Sequence, residues 1–228
     1  MTLVAVIIAA HNPGPFLAET LASLAEQTSP PAEVMVVDDG SDGSDGGDVA
    51  DTVARFPGVR SVRQERLGAA VARNRGAAAT SAAALLFLDA DDLLRPRALE
   101  RLGATLEDHP QAAYAYGRTR EFPDARFPPA QGMRGADTEQ SARLAGATLV
   151  RRTAWERVGP LDAGIARGEW IDWVSRAQTL GLHGCVLDEV VLDRRLHSFN
   201  RSQAPANHDE YLRVVRAALL RKRPANDG

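Results

Sequence analysis

Residues 84–92 read ALLFLDADD, five apolar residues running straight into three carboxylates broken by one alanine. A run that is apolar throughout, rather than alternating, is the pattern of a strand covered on both faces. Two upstream segments repeat it. Residues 3–9 (LVAVIIA) lead to His11-Asn12, and residues 33–37 (EVMVV) end at Asp38-Asp39-Gly40-Ser41. Helical patterns separate these strands. Leu17, Leu21 and Leu24 space out a helix over 16–27, after a His11-Asn12-Pro13-Gly14-Pro15 turn whose prolines suit a helix opening. A polar Gly/Asp/Ser loop follows to residue 47, then a short helix over 48–55 and a third strand over 59–63. Residues 68–79 are alanine-rich and helical, and 97–106 form another helix. Alternation of this kind predicts an α/β chain with a doubly wound, mainly parallel sheet flanked by helices.

The second half is less regular. Residues 121–137 are rich in Pro, Gly and Arg and read as a long loop, a kind of segment that often serves binding. Further on, the patterns predict a short strand over 148–150 and a short helix over 152–158. A helix over 169–180 is stopped by Gly181, and a strand over 186–192 leads to a polar segment at 197–202. The last expected element is an amphipathic helix over 209–223.

Composition narrows the class. At 228 residues, with 44% hydrophobic and 25% charged side chains, the chain suits one globular domain with a real core. A net charge of -3 argues against a nucleic-acid partner. A single cysteine, Cys185, excludes a disulfide framework and fits a reducing, cytoplasmic location. The first apolar run has no basic region before it, so it reads as a strand and not a signal peptide. No stretch reaches the roughly 18 apolar residues of a transmembrane segment.

Parallel strands would bring the three polar strand ends to one edge of the sheet, where ligands of open α/β sheets sit. Carboxylates sharing a pocket repel one another unless a cation joins them. A hard divalent cation such as Mn²⁺ or Mg²⁺ prefers oxygen ligands and recruits phosphate oxygens as well. The pocket therefore suits a metal-bound nucleotide diphosphate. Taken singly, each cluster could equally be a strand-end turn or a helix cap, where Asp is common.

The segments VAVIIAAHN (4–12), VVDDGSDG (36–43), GAAVARNRGAAA (68–79) and ALLFLDADD (84–92), in this order and spacing, resemble the family 2 glycosyltransferases. The likeness is strong over residues 3–102 and fainter over 147–200. It implies a GT-A fold in a single domain over 1–205, with a nucleotide-binding half (1–105), an acceptor-side half (106–205) and a C-terminal helix and tail (206–228). It also implies that Ala10, His11 and Asn12 line a base pocket and that Asp39 bonds the base. By the same likeness Arg73 faces the nucleotide, with a solvent-exposed helix arginine as the alternative. Asp89 would contact ribose or metal, and Asp91 would bind the divalent metal on the diphosphate. Asp92 would instead cap the next helix, whose first turn carries Pro96.

A sugar acceptor's hydroxyl is a poor nucleophile until a base takes its proton. The family places an acid pair followed by Arg at the start of a late helix, and GEWIDWVSRA (168–177) resembles it, with Trp170 in place of the second acid. Glu169, at the helix mouth, is the favoured base and Asp172 the alternative. Glu169, Asp172 and Arg176 share a helix face beside an apolar stripe of Trp170, Trp173, Val174 and Ala177, so a surface Glu–Asp–Arg cluster is the plain alternative. RRLHSFN (194–200) resembles the family's Arg-x-His segment. There His197 completes the metal shell, or its neighbours, Arg195 among them, clasp the pyrophosphate with a fork of donors.

The expected activity is a metal-dependent, hexosyl-type transfer from a nucleotide-diphosphate sugar, with a uridine nucleotide favoured by resemblance. One displacement with oxocarbenium character inverts the anomeric centre. The rivals are a nucleotidyltransferase and a non-catalytic nucleotide-sugar-binding module. The first usually carries a basic glycine-rich loop after strand one, where this chain has HNPGPF. The second needs no late acid pair. The acceptor is open among a small molecule, a peptide, a lipid carrier and a glycan, and a homodimer is possible. The run Arg221-Lys222-Arg223 is too short for a firm membrane anchor.

Overall fold

A computed structural model describes residues 2–44, 47–128, 139–140, 143–198 and 208–221. The first half alternates as its patterns predict: β1 (Val4–Ala10), α1 (Phe16–Ala25), β2 (Glu33–Asp39), α2 (Val49–Ala54), β3 (Val59–Gln64), α3 (Ala69–Ala78) and β4 (Ala84–Asp89). A two-residue strand, β5 (Leu93–Leu94), then precedes α4 (Ala98–Asp108). The second half holds β6 (Tyr114–Pro123), β7 (Glu139–Gln140), β8 (Thr148–Arg151), α5 (Arg152–Val158), α6 (Glu169–Thr179), β9 (Gly184–Leu196) and α7 (His208–Arg221).

Among the described residues one sheet runs β3-β2-β1-β4-β8-β6-β9-β5, with β7 against β6. The four strands from the first half are parallel throughout. β8 reverses direction against β4, and the remaining half is mixed: β6 is antiparallel to β8 but parallel to β9. In the parallel half the inner strands β1, β2 and β4 are buried on both faces, while the edge strand β3 is largely exposed. Val4, Val6, Ile8 and Ala10 of β1 join a core with Leu17, Leu21 and Leu24 of α1 and Leu99, Leu102 and Leu106 of α4. Ala5 and Ile7 point the other way, into a core with Ala70 and Ala77 of α3 and Trp155, Trp170 and Trp173 of α5 and α6. This two-sided burial is why β1 reads as unbroken apolar sequence. α3 approaches the sheet closely because Gly76 has no side chain: a Cβ there would stand 2.3 Å from Ile7 Cγ2.

Two expectations change. Glu121–Pro123 belong to β6 and are not loop. β6 is held by pairing with β9 from Tyr114↔Gly184 to Pro123↔Leu196, through register shifts near Arg118. β9 is also longer than the 186–192 expected, running from Gly184 to Leu196. Residues 124–128 are turn and irregular chain as expected, and the rest of that loop, at 129–137, lies outside the described residues, as do 199–202 and Lys222-Arg223. α7 lies on α6, where Val214 and Ala218 are buried. Among the described residues no helix is long and apolar enough to cross a membrane.

Candidate active site

The register brings the polar strand ends together. Ala10 of β1 stands beside Asp38 of β2, and Ala9 beside Asp89 of β4. At this edge the β1 and β2 ends are stitched into one surface. The His11 ring Nδ1 lies 2.9 Å from the Asp39 carbonyl oxygen. Asn12 takes a left-handed backbone (φ 44°), which Asn tolerates better than most residues. From there its amide donates to Asp42 at 2.8 Å and Ser44 at 2.9 Å, and its carbonyl oxygen accepts from the Asp42 N–H at 3.0 Å. Ala10 is buried.

Asp39 is buried, and both of its oxygens accept hydrogen bonds from the protein. The donors are Gln64 Nε2 and the Leu67 N–H, each at 2.8 Å, and the Gly68 N–H at 2.9 Å. It therefore closes the turn that opens α3. Its neighbour Asp38 accepts from the Ser41 N–H at 2.8 Å and from Arg63 at 2.9 Å.

The acidic turn between β4 and β5 gathers three carboxylates. Asp89, Asp91 and Asp92 each offer an oxygen, all within 4.8 Å of one another. Asp92 does not cap α4, whose N-cap is Arg97. It is buried, and its Oδ1 accepts the Arg195 N–H at 2.9 Å. Burial first, and then the charges of Asp91 and Asp89, push its carboxyl well above the usual range. Asp91 faces the far strand, its Oδ2 2.8 Å from Nε2 of His197. The His197 ring packs on Phe16 at 4.4 Å between centroids.

Arg195 does not offer a free fork to a phosphate. Its Nε donates to the Asp91 carbonyl at 2.9 Å, Nη1 to Asp124 at 2.5 Å and Nη2 to Glu19 at 2.6 Å. With 3% exposure it is part of the interior.

Arg73 is likewise buried and is not a solvent-facing helix arginine. One end of its guanidinium bonds Asp89 at 2.5 Å and the other bonds Glu169. Burial opposes its charge, but the Asp89 and Glu169 carboxylates outweigh that and raise its pKa. α6 begins at Gly168 in a positive-φ conformation, which places Glu169 at the helix mouth. Asp172 is turned elsewhere. It accepts from Arg176 at 2.8 Å and from Arg221 of α7 at 2.7 Å. Arg176 also donates to the Val158 and Pro160 carbonyls at 2.8 and 2.7 Å. The expected Glu–Asp–Arg face is thus divided: Asp172 and Arg176 fasten helices, while Glu169 joins the acidic turn through Arg73.

Some contributors had little mark in sequence. Thr20 of α1 donates to the Ala90 and Asp92 carbonyls, each at 2.9 Å. A polar residue on the apolar face of α1 was the available signal. Glu19 and Asp124 carried none, because their partner Arg195 is remote in the chain.

Comparisons with known proteins agree with one another. A family model described as glycosyl transferase family 2 matches residues 5–155. The chain is 34% identical over 97 residues to the uncharacterized glycosyltransferase YibD of Escherichia coli (strain K12), covering 42% of this chain and 28% of that protein. It is 29% identical over 124 residues to the uncharacterized glycosyltransferase EpsJ of Bacillus subtilis (strain 168), covering 54% and 36%. The chain thus spans 28% and 36% of the length of these two relatives. S. aureus TarS 1–349 in complex with UDP-GlcNAc has a similar structure, with a TM-score of 0.72 at 18% identity over 96% of this chain and 66% of that one. The likeness to TarS is one of fold, and it bears out the expected GT-A architecture.

Proposed function

We propose a reaction from one premise: this chain belongs to glycosyl transferase family 2. The reaction moves a sugar from a nucleoside-diphosphate donor, a UDP-sugar, to an acceptor hydroxyl with inversion. The observation that carries this reading is the clustering of Asp89, Asp91 and Asp92 at the shared strand edge, with Glu169 tied to the same turn through Arg73. The TarS complexes with UDP-GlcNAc and with UDP support uridine as the nucleotide.

The donor set fits Mn²⁺ or Mg²⁺. It consists of carboxylate oxygens, and Asp92 carries a penalty for ionisation that a cation would relieve. Asp89, Asp91 and Asp92 would hold the ion, with His197 orienting Asp91. When bound, a divalent cation acts as a Lewis acid toward the charge that develops on the diphosphate.

The chain's own residues do the rest. His11, Asn12 and the loop they stitch form the floor beside which the nucleoside lies. Glu169 takes the proton from the acceptor hydroxyl. The acceptor oxygen bonds to the anomeric carbon as the bond from that carbon to the diphosphate oxygen breaks, and the nucleoside diphosphate leaves. Arg73 holds Glu169 against the turn that carries the leaving group. A single displacement turns an α-linked donor into a β-linked product.

The test is a panel of nucleotide sugars assayed for nucleoside diphosphate release, with and without Mn²⁺ or Mg²⁺, beside thermal unfolding. UDP with Mn²⁺ should raise the unfolding temperature through linkage, and Asp91→Asn should abolish the rise. The absence of a response to any nucleotide with either ion would remove the reading. A product with retained anomeric configuration would remove the inversion alone.

A further inference from the structure

Arg195 has the sequence context of a phosphate ligand and the environment of a keystone. Three other chain segments meet on it. Its backbone N–H donates to Asp92 Oδ1 and its Nε to the Asp91 carbonyl oxygen, each at 2.9 Å. Its two remaining arms reach Asp124, just past β6, and Glu19 on α1. The guanidinium lies 5.0 Å from the ring centroids of both Phe16 and Phe122. Phe16 also supports His197.

Two features separate this from an ordinary buried ion pair. First, its hydrogen bonds to the acidic turn go to the main chain of one aspartate and to one oxygen of the next. The side-chain bond fixes the main chain of the turn at Asp91, and the main-chain N–H fixes one oxygen of Asp92. Second, the charge of Arg195 is already balanced by Glu19 and Asp124. Arg126 completes a neutral foursome by pairing with the same two acids, each at 2.7 Å. Arg195 therefore fixes the turn without cancelling the negative charge that a cation needs.

We propose that Arg195 is a positioning residue that orients Asp91 and Asp92 for the divalent cation, held in place by Glu19 and Asp124. The inference rests on the function proposed above. A planar fork is required, because a lysine ammonium at the same place cannot span the Asp91 carbonyl, Asp124 and Glu19 together.

The experiment measures Mn²⁺ affinity of the whole chain in the presence of UDP, from the free-ion signal in electron paramagnetic resonance. Outer residues that orient metal ligands typically change affinity about 10- to 100-fold when lost. Arg195→Lys, which keeps the charge, should weaken Mn²⁺ at least about tenfold, and excess Mn²⁺ should restore kcat. Affinity is read only on a variant that unfolding shows to be fully folded, so that loss of packing alone does not enter. Arg126→Ala serves as the control, because Arg126 touches Glu19 and Asp124, and its known bonds do not include the acidic turn. Its Mn²⁺ affinity should stay within about twofold of the parent. Should Arg195→Lys fail to fold, Asp124→Asn loosens one arm and should weaken Mn²⁺ by an intermediate factor. Parental affinity in a folded Arg195→Lys or Asp124→Asn, or an equal loss in Arg126→Ala, overturns the inference. A parent chain that binds neither UDP nor Mn²⁺ overturns the function itself, which is a distinguishable result.

Discussion

Arg73 and Glu169, 96 positions apart in the sequence, form a partly buried ion pair, and the other end of the same guanidinium holds Asp89 at 2.5 Å. One side chain thus joins the acidic turn to the residue proposed to take the acceptor's proton.

Glu169→Gln should lower kcat by about 10²- to 10⁴-fold, the usual contribution of a general base. UDP binding with Mn²⁺ should persist, as read by thermal unfolding. A variant that keeps parental kcat would move the base elsewhere, and Asp172 is poorly placed to replace it because two arginines hold it.

Arg73→Met leaves Glu169 without its buried partner. Removing one member of a buried pair costs about 3–5 kcal/mol, and the low end applies here because the Asp89 side chain is 54% exposed. Urea unfolding measures the loss. Arg73→Lys should retain more stability yet lower kcat, since one ammonium cannot orient both acids.

Asp172 ties α6 to α7. Burial alone would raise its pKa, but bonds from Arg221 and Arg176 outweigh that and lower it. A carboxyl depressed in the folded chain stabilises it above the unfolded pKa of about 3.9, and that stability is lost as pH falls through the folded value. Asp172→Asn should therefore destabilise the chain at pH near 7, and its deficit should close in acid below about pH 4. A deficit unchanged across that range would show that packing, not charge, is what was lost.

Asp92 has the opposite sign. Its pKa is raised in the folded chain, so its ionisation costs stability above the unfolded pKa and costs nothing below it. Without metal, Asp92→Asn should raise the unfolding temperature near pH 7 and have no effect below about pH 4, while weakening Mn²⁺ binding. The amide oxygen can still accept the Arg195 N–H, so the turn itself survives. A calorimetric series with and without Mn²⁺ checks both halves.

Gly76→Ala forces a methyl group toward Ile7 Cγ2 at 2.3 Å and Val37 Cγ2 at 3.3 Å. Overpacking of this kind costs typically about 1–3 kcal/mol, here by pushing α3 off β1. Denaturant midpoints should fall accordingly, and Arg73 on the same helix should lose its alignment, lowering kcat as well.

The parallel half was legible in sequence for a physical reason. β1 and β4 are covered on both faces, so their burial is written in every residue, and their acidic or polar ends stand out against it. β6 was hidden because its second half is held by charge: Arg120 pairs with Asp193 at 2.8 Å and Glu121 with Arg194 at 2.7 Å, both across to β9. Side chains neutralised by a distant strand look like loop when read alone. The same distance concealed Arg195. An arginine near a histidine suggests a phosphate ligand, and only the fold brings Glu19 and Asp124 to it. Asp92 read as a cap because Asp after a strand often is one, whereas its carboxyl turns inward to the β9 main chain.

The acidic turn has sheet on both sides. β4 leads into it, β5 leads out of it by pairing Leu93 and Leu94 with Asp193 and Leu192, and Thr20 grips two of its carbonyls from beneath. The cation proposed above would meet a seat already built, with little chain left to settle around it. The slow event in its loading would then be the stripping of water from the ion, which Mg²⁺ gives up reluctantly.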